Sequence, residues 1–208
     1  GLCIQFREGD ARKLPYSSDF FDVVLILGNS FGYFETVQDD IKVLKEIFRV
    51  LKPWGRLLID VADGEFLAAH YEPRSWEWID KKYFVCRERS LSADGHRLIS
   101  REIVNHVDRG VIVDQFYGER LYTEDELGQL LKNTGYNNVV FHGKLLSHSQ
   151  RNQDLGMMQQ RIIVSSRVKK PWTTIKKKLP PSIRRVAVVF GDPGKPDILK
   201  PSSVFDDD

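Results

Sequence analysis

The feature that most constrains this chain is a rhythm running from Phe21 to Val61. Phe21 to Leu27 is a near-continuous apolar run, interrupted only by Asp22. Such a run is the signature of a parallel strand covered on both faces. Gly28-Asn29-Ser30-Phe31-Gly32 breaks it. From Asp39 to Leu51, the residues Ile41, Leu44, Ile47, Phe48 and Leu51 recur at spacings of three and four, which predicts an amphipathic helix. Lys52-Pro53-Trp54-Gly55 supplies helix-ending chemistry, and Arg56 to Val61 is a second buried-type strand. Strand, loop, helix and strand in this order predict βαβ units and an α/β, doubly wound parallel sheet. Upstream, Leu2 to Phe6 reads as a further strand, Gly9-Asp10-Ala11 as its exit turn, and Leu14 to Asp19 as a loop.

The middle of the chain has a different period. Lys82 to Leu91, Arg97 to His106 and Val111 to Arg120 are strand-like. Ala93-Asp94-Gly95 and Asp108-Arg109-Gly110 are the turns between them. This predicts a three-stranded antiparallel meander inserted at about residues 70–120. The α/β rhythm then resumes. Thr123 with Glu126 three residues on forms a capping box for a helix to about Asn133, and Gly135 ends it. Val139 to His142 and Arg161 to Ser165 are two further strands.

Composition narrows the class. The 208 residues are enough for one domain and a tail, and 41% hydrophobic with 29% charged is ordinary for a globular protein. No apolar run approaches the roughly 20 residues of a membrane span. Gly1 to Asp10 carries Arg7, Glu8 and Asp10 and has no signal-peptide pattern, so the expected compartment is the cytoplasm. Cys3 and Cys86 stand far apart and outside any CxxC, which argues against a disulfide framework or a zinc site; no metal is expected.

Three patterns, in this order and spacing, resemble the class I S-adenosylmethionine-dependent methyltransferases. They are Gly9-Asp10-Ala11 with Leu14-Pro15 and then Phe21-Asp22-Val23-Val24, the helix ending Glu46-Ile47-Phe48-Arg49-Val50-Leu51-Lys52-Pro53, and the strand from Arg56 to Val61. Arg120-Leu121-Tyr122-Thr123, the following helix, and Thr134-Gly135-Tyr136 resemble the family's C-terminal part. The resemblance covers roughly Leu2 to Val168. Trp54-Gly55 stands where the family usually has Gly-Gly. The family's opening strand with its glycine-rich loop, and a second strand ending in an acid, have no counterpart in these residues. Those two β–α units amount to about 60 residues at roughly 30 per unit. The 208 residues alone are therefore expected to bind cofactor poorly.

The resemblance implies S-adenosylmethionine as cofactor. It implies that the Asp10 carboxylate accepts from the adenine amino group and that the Ala11 N–H meets the ring, with Leu14 beside it. In a doubly wound sheet, ligands sit outside the carboxyl ends of the strands. Gly28, Asn29 and Ser30 follow such an end and are candidate cofactor contacts. Tyr33, Trp76 and Arg120 are candidates to hold the acceptor. Methyl transfer from a sulfonium is an in-line displacement that needs alignment more than acid–base machinery. Where the acceptor arrives protonated, His106 and Tyr122 are the candidate bases. Against each stands a plainer reading: Asp10 capping a turn, Arg120 in a structural salt bridge, His106 as a packed histidine, and the tryptophans packing the meander.

Arg167 to Arg185 carries eight basic residues and no acid. Subtracting those eight from the chain's net +2 leaves −6 for the remainder. With Pro171, Pro180 and Pro181 in it, residues 169–184 read as a solvated linker. A methyltransferase domain at 1–168 precedes it. Residues 185–208 read as the start of a second, truncated domain, which faintly resembles the opening strand of the ATP-grasp D-alanine–D-alanine ligases. The expected function is methyl transfer to a small-molecule acceptor, an amino-acid or peptide-like amine among them. The expected partner is a linked domain beyond residue 208. The acidic body argues against nucleic acid. The competing expectation is a non-catalytic methyltransferase-like scaffold.

Overall fold

The computed structural model of the chain describes residues 5–146, 160–171 and 185–189. The rhythm read between Phe21 and Val61 becomes strand β1 (Phe21–Ile26), helix α1 (Val37–Val50) and strand β2 (Leu51–Ala62). β1 and β2 are parallel, with Val24 opposite Leu57 and Ile26 opposite Ile59. Thr36 caps α1, its hydroxyl accepting from the Asp39 N–H at 3.2 Å, and Asp39 and Asp40 occupy the positive first turn. The helix buries Val43, Leu44, Ile47 and Val50 against Val24, Ile26, Leu57 and Ile59. Gly55 lies in the tightly packed first part of β2, where a Cβ would lie 2.8 Å from the Lys52 carbonyl oxygen.

A short helix α2 (Gly64–His70) follows, which the sequence reading did not anticipate. Four antiparallel strands then form a separate sheet. They are β3 (Arg74–Trp78), β4 (Tyr83–Leu91), β5 (Arg97–His106) and β6 (Gly110–Arg120), in the order β3-β4-β5-β6. The inserted cap thus has one strand more than the three expected. β3 is an edge strand of five residues with Trp76 and Trp78 facing outward, too short and too exposed to show an apolar run. α2 packs on the base of the cap, where Leu67, Leu98 and Leu121 are buried together with Ala62.

Helix α3 (Glu124–Asn133) opens on the capping box expected at Thr123 and Glu126. It is followed by β7 (Tyr136–Leu146) and β8 (Gln160–Val168). β8 pairs antiparallel with β2 and with β7. The last described strand, β9 (Val186–Val189), pairs parallel with β1 on its other side, giving the main sheet the order β7-β8-β2-β1-β9. The segment read as opening a second domain therefore contributes a strand to the first sheet, along the edge of β1 away from β2. Asp22 anchors it: its carboxylate accepts from the Arg185 N–H at 2.8 Å and meets Lys52 Nζ at 2.7 Å. The Arg185 guanidinium lies 4.2 Å from the Phe20 ring centroid. Residues 190–208 lie outside the described residues.

Two further readings are adjusted. Gln5 and Phe6 are not in a strand, and Leu2 to Ile4 lie outside the described residues. Phe6 is 90% exposed, and among the described residues no strand covers it. Of the basic run read as a solvated linker, Lys170 is anchored: Nζ donates to the Phe48 and Arg49 carbonyls at 2.6 and 2.8 Å and meets Asp19 at 3.0 Å. Those carbonyls belong to the last turn of α1, where the helix dipole favours a cation. Residues 172–184 lie outside the described residues. Among the described residues, no helix is long and apolar enough to cross a membrane.

Candidate active site at the carboxyl edge of the sheet

The site begins with a turn. Gly28 and Asn29 follow β1 with φ of 63° and 62°, two successive left-handed residues. Glycine takes this conformation freely and asparagine is among the few others that tolerate it. The turn is held from β2: the Asn29 N–H donates to the Asp60 carbonyl at 3.1 Å, and the Gly28 N–H to the Asp60 carboxylate at 3.3 Å. Arg161 on β8 donates to the other oxygen of that carboxylate at 2.6 Å. Burial of Arg161 holds its pKa below the usual arginine value. Asp60 is thus a hub linking the end of β1, the end of β2 and the start of β8.

The Asn29 side chain extends this hub to the cap. Its Oδ1 accepts from the Ala62 N–H at 2.9 Å. Its Nδ2 donates to Glu119 on β6 at 2.5 Å and reaches the Tyr33 hydroxyl at 3.3 Å. Asn29 and Glu119 are both buried. The Tyr33 ring stands 6.1 Å from that of Tyr117 on the same cap strand. Burial and the negative charge of Glu102 push the Tyr117 hydroxyl up to about 12, so it is a neutral hydrogen-bonding group.

The inner face of the cap buries charge beside its apolar residues Tyr83, Val85, Leu98 and Val104. In an ordinary half-exposed sheet, the charged face meets water. Here Glu77, Arg87, Arg89, Glu102 and Glu119 share the buried face with Tyr117 and Ser100. Arg87 joins Glu77 at 2.6 Å and Glu102 at 2.7 Å, and Gln115 donates to Glu102 at 2.9 Å. The Arg87 guanidinium is shared between the two carboxylates, which offsets the cost of burying these charges. It lines the side of the cap that meets Asn29.

The other sequence-stated candidates fall into three places. Ser30 donates to the Leu27 carbonyl at 2.7 Å and braces the turn after β1. Asp10, Ala11 and Leu14 lie together on the loop before β1. Asp10 forms a bidentate pair with Arg12, at 3.0 Å to Nε and 2.8 Å to Nη2, and this holds its carboxyl below the usual range. Arg12 also meets Asp39 at 3.3 Å and lies 4.3 Å from the Phe34 ring centroid, a clamp the sequence reading missed. Leu14 is fixed through its N–H to Glu46 at 3.0 Å, and Arg49 binds the same carboxylate and the Leu14 and Tyr16 carbonyls.

Arg120 and Tyr122 converge on Asp40. Arg120 donates to that carboxylate at 3.1 Å and to the Glu35 carbonyl at 2.9 Å, while its N–H donates to the Gly32 carbonyl at 2.8 Å. It ties the loop after β1 to the start of α1. Tyr122 donates to Asp40 at 2.7 Å and stacks on Phe31. Burial pushes the Tyr122 hydroxyl far above its ordinary value.

His106 and Trp76 stand apart from this centre. Arg97, at the opposite end of β5, reaches the Glu35 carbonyl, and His106 is nine residues further, about 30 Å along a strand. There its Nδ1 accepts from the Asp108 N–H at 3.1 Å, and its ring packs edge-on against Tyr83. Trp76 is on the outer face of the cap, 68% exposed. The structure brings Gly28, Asn29, Ser30 and Tyr33 together and adds Asp60, Arg161, Tyr117 and Glu119. Nothing local in the sequence marks Glu119: that it faces inward appears only once the strand register is known.

Known proteins resemble this chain in sequence and in fold. Residues 1–59 match the family described as a methyltransferase domain. The chain is 43% identical over 141 residues to the ubiquinone/menaquinone biosynthesis C-methyltransferase UbiE of Proteus mirabilis, covering 64% of this chain and 53% of that protein. Among solved structures, an S-adenosylmethionine-dependent methyltransferase from Clostridium acetobutylicum superposes with a TM-score of 0.58 at 18% identity, over 78% of this chain and 63% of that one. The sugar N-methyltransferase KedS8 from Streptoalloteichus does so with a TM-score of 0.52 at 17% identity, over 78% and 61%. These two likenesses are of fold. The chain spans about half the length of the curated relative it matches.

Proposed function

We propose, from the premise that this chain belongs to the class I S-adenosylmethionine-dependent methyltransferases, that it takes part in methyl transfer to a small-molecule amine held between the carboxyl edge of β1 and the inner face of the cap. The observation that carries the amine reading is the charge on that inner face. Glu119, buried on β6, is joined directly to the turn after β1 through Asn29, and Glu102 lies on the same face. A buried acidic surface favours a cation over a neutral or anionic acceptor.

The residues present fit the cofactor. Gly28 is exposed and has open space where a Cβ would stand, which leaves the backbone at the end of β1 free for close approach. The half-exposed Asp10 carboxylate accepts from the Arg12 N–H and guanidinium, and the adenine contact implied by the family resemblance would exchange one of these bonds. When bound, S-adenosylmethionine supplies an electrophilic methyl group. Asn29 fixes the turn facing it, Tyr33 and Tyr117 wall the acceptor side and exclude water, and Glu119 holds the acceptor nitrogen and receives its proton. The net charge of −6 outside the basic run supports a small molecule over nucleic acid.

The UbiE relative is by name a C-methyltransferase, which favours a carbon acceptor as the second reading. The experiment presents methyl-labelled S-adenosylmethionine and the full-length protein with D-glucosamine, D-glucose and a hydroquinone in parallel. Label in the amine and not in its hydroxyl counterpart is expected. Label in the hydroquinone alone would replace the amine reading with the carbon one. Label in none, from a protein that also fails to bind S-adenosylhomocysteine, would leave the scaffold reading.

A further inference from the structure

The outer face of the cap is the counterpart of its charged inner face. Three rows of facing residues cross the four strands. The first is Arg74, Glu88, Arg101 and Phe116; the second is Trp76, Cys86, Ile103 and Asp114; the third is Trp78, Phe84, Asn105 and Val111. Trp76 and Phe116 are each 68% exposed, Val111 60% and Trp78 52%. Large aromatic groups gathered on one open sheet face are rare on a monomer and mark an interaction surface.

We propose that this face is the contact between two copies of the chain, packed sheet on sheet about a two-fold axis parallel to the strands. Three observations single out a second copy. The face carries Arg74 and Arg101 against Glu88 and Asp114, so it is neutral and matches its own kind rather than a strongly charged partner. The axis lays β3 over the partner's β6 and β4 over the partner's β5 within each row. Glu88 then faces the partner's Arg101, Arg74 faces the partner's Phe116, Trp78 faces the partner's Val111, and Cys86 faces the partner's Ile103. An isologous contact requires this reciprocity.

The extent is also sufficient. Strands about 4.8 Å apart and up to roughly 30 Å long give a face on the order of 500 Å² in projection. The accessible area of such a side-chain relief approaches the roughly 800 Å² per partner of a stable interface. Aligned sheets pack about 10 Å apart through interdigitating side chains, which these aromatics supply. The arrangement leaves the inner face of each cap directed at its own site.

The test is the mass of the full-length protein by light scattering, with an affinity from sedimentation. A particle of twice the monomer mass is expected. Trp76→Glu with Trp78→Glu is expected to give a monomer with an unchanged circular dichroism spectrum. Glu88→Arg places two cations opposite each other and is expected to weaken association at least tenfold. Adding Arg101→Glu to it is expected to restore association, because the reversed pair again matches across the axis. A wild-type protein that stays monomeric at concentrations on the order of 100 µM, where even weak interfaces fill, would overturn the proposal. So would a dimer indifferent to the tryptophan changes.

Discussion

The Tyr122 hydroxyl donates to the buried Asp40 carboxylate at 2.7 Å, and Arg120 reaches the same oxygen at 3.1 Å. Asp40 is wholly buried in the first turn of α1, so two residues from the end of the cap tie the start of the helix to the loop after β1. The arrangement gives Tyr122 a structural task. Tyr122→Phe removes one partner of a buried carboxylate and is expected to lower stability by about 1–3 kcal/mol. Chemical denaturation measures it. The turnover of the folded variant is expected to stay within a few-fold of wild type, whereas a base at this position would lose far more, on the order of 100-fold.

Asn29 joins three elements through one amide. Asn29→Ala leaves Glu119 without that donor and the Ala62 N–H without its acceptor. Left-handed φ also suits alanine poorly. Methyl transfer is expected to fall at least tenfold, with a loss of stability of about 2 kcal/mol. A turnover assay beside a thermal melt separates the two effects.

Gly64 allows the chain to turn from β2 into α2 against the strand leaving the cap. A Cβ there would lie 2.5 Å from the Leu121 carbonyl carbon and 2.6 Å from the Tyr122 oxygen. Both are backbone atoms and cannot swing aside. Gly64→Ala is expected to destabilise the protein by about 1–3 kcal/mol through overpacking, read as a lower denaturation midpoint with an unchanged slope.

The acid limb of stability has a defined origin. Hydrogen bonds from Lys42 and Thr36 lower the Asp39 carboxyl from 3.8 to about 2. A depressed folded-state value means that the stabilisation is full above pH 3.8 and is lost as pH falls towards 2. Asp40 acts in the opposite sense, because burial raises its value and the folded state takes up a proton before the unfolded one. The melting-temperature difference between wild type and Asp39→Asn is therefore expected to be constant above about pH 5, to shrink as pH falls through 2 and to vanish below it.

Much of this architecture is legible in the sequence, and the parts that are not share a cause. β1, α1, β2 and α3 rest on local periodicity and capping, which a linear reading captures: Thr123 and Glu126 form the expected capping box. The turn at Gly28 and Asn29 follows from residue type. The clamp of Arg12 on Asp10 and Asp39, the reach of Asn29 to Glu119 across 90 residues, and the anchoring of Lys170 on the last turn of α1 are contacts between segments distant in sequence or without a periodic signal. The cap shows the limit most plainly. Alternation along β4, β5 and β6 is visible in the sequence, but both faces carry charged and aromatic residues, so the alternation does not say which face turns inward. β9 beside β1 depends on which edge of the sheet is open, a property of the whole fold.

The most direct measurement of the central claim is a calorimetric titration of S-adenosylhomocysteine into the full-length protein and its Asn29→Ala and Asp10→Ala variants. Saturable one-to-one binding is expected, weakened at least tenfold by each change, which would set the cofactor along the carboxyl edge of β1 with its adenine towards the loop before it. A full-length protein that is folded and takes up no S-adenosylhomocysteine would contradict the methyltransferase account.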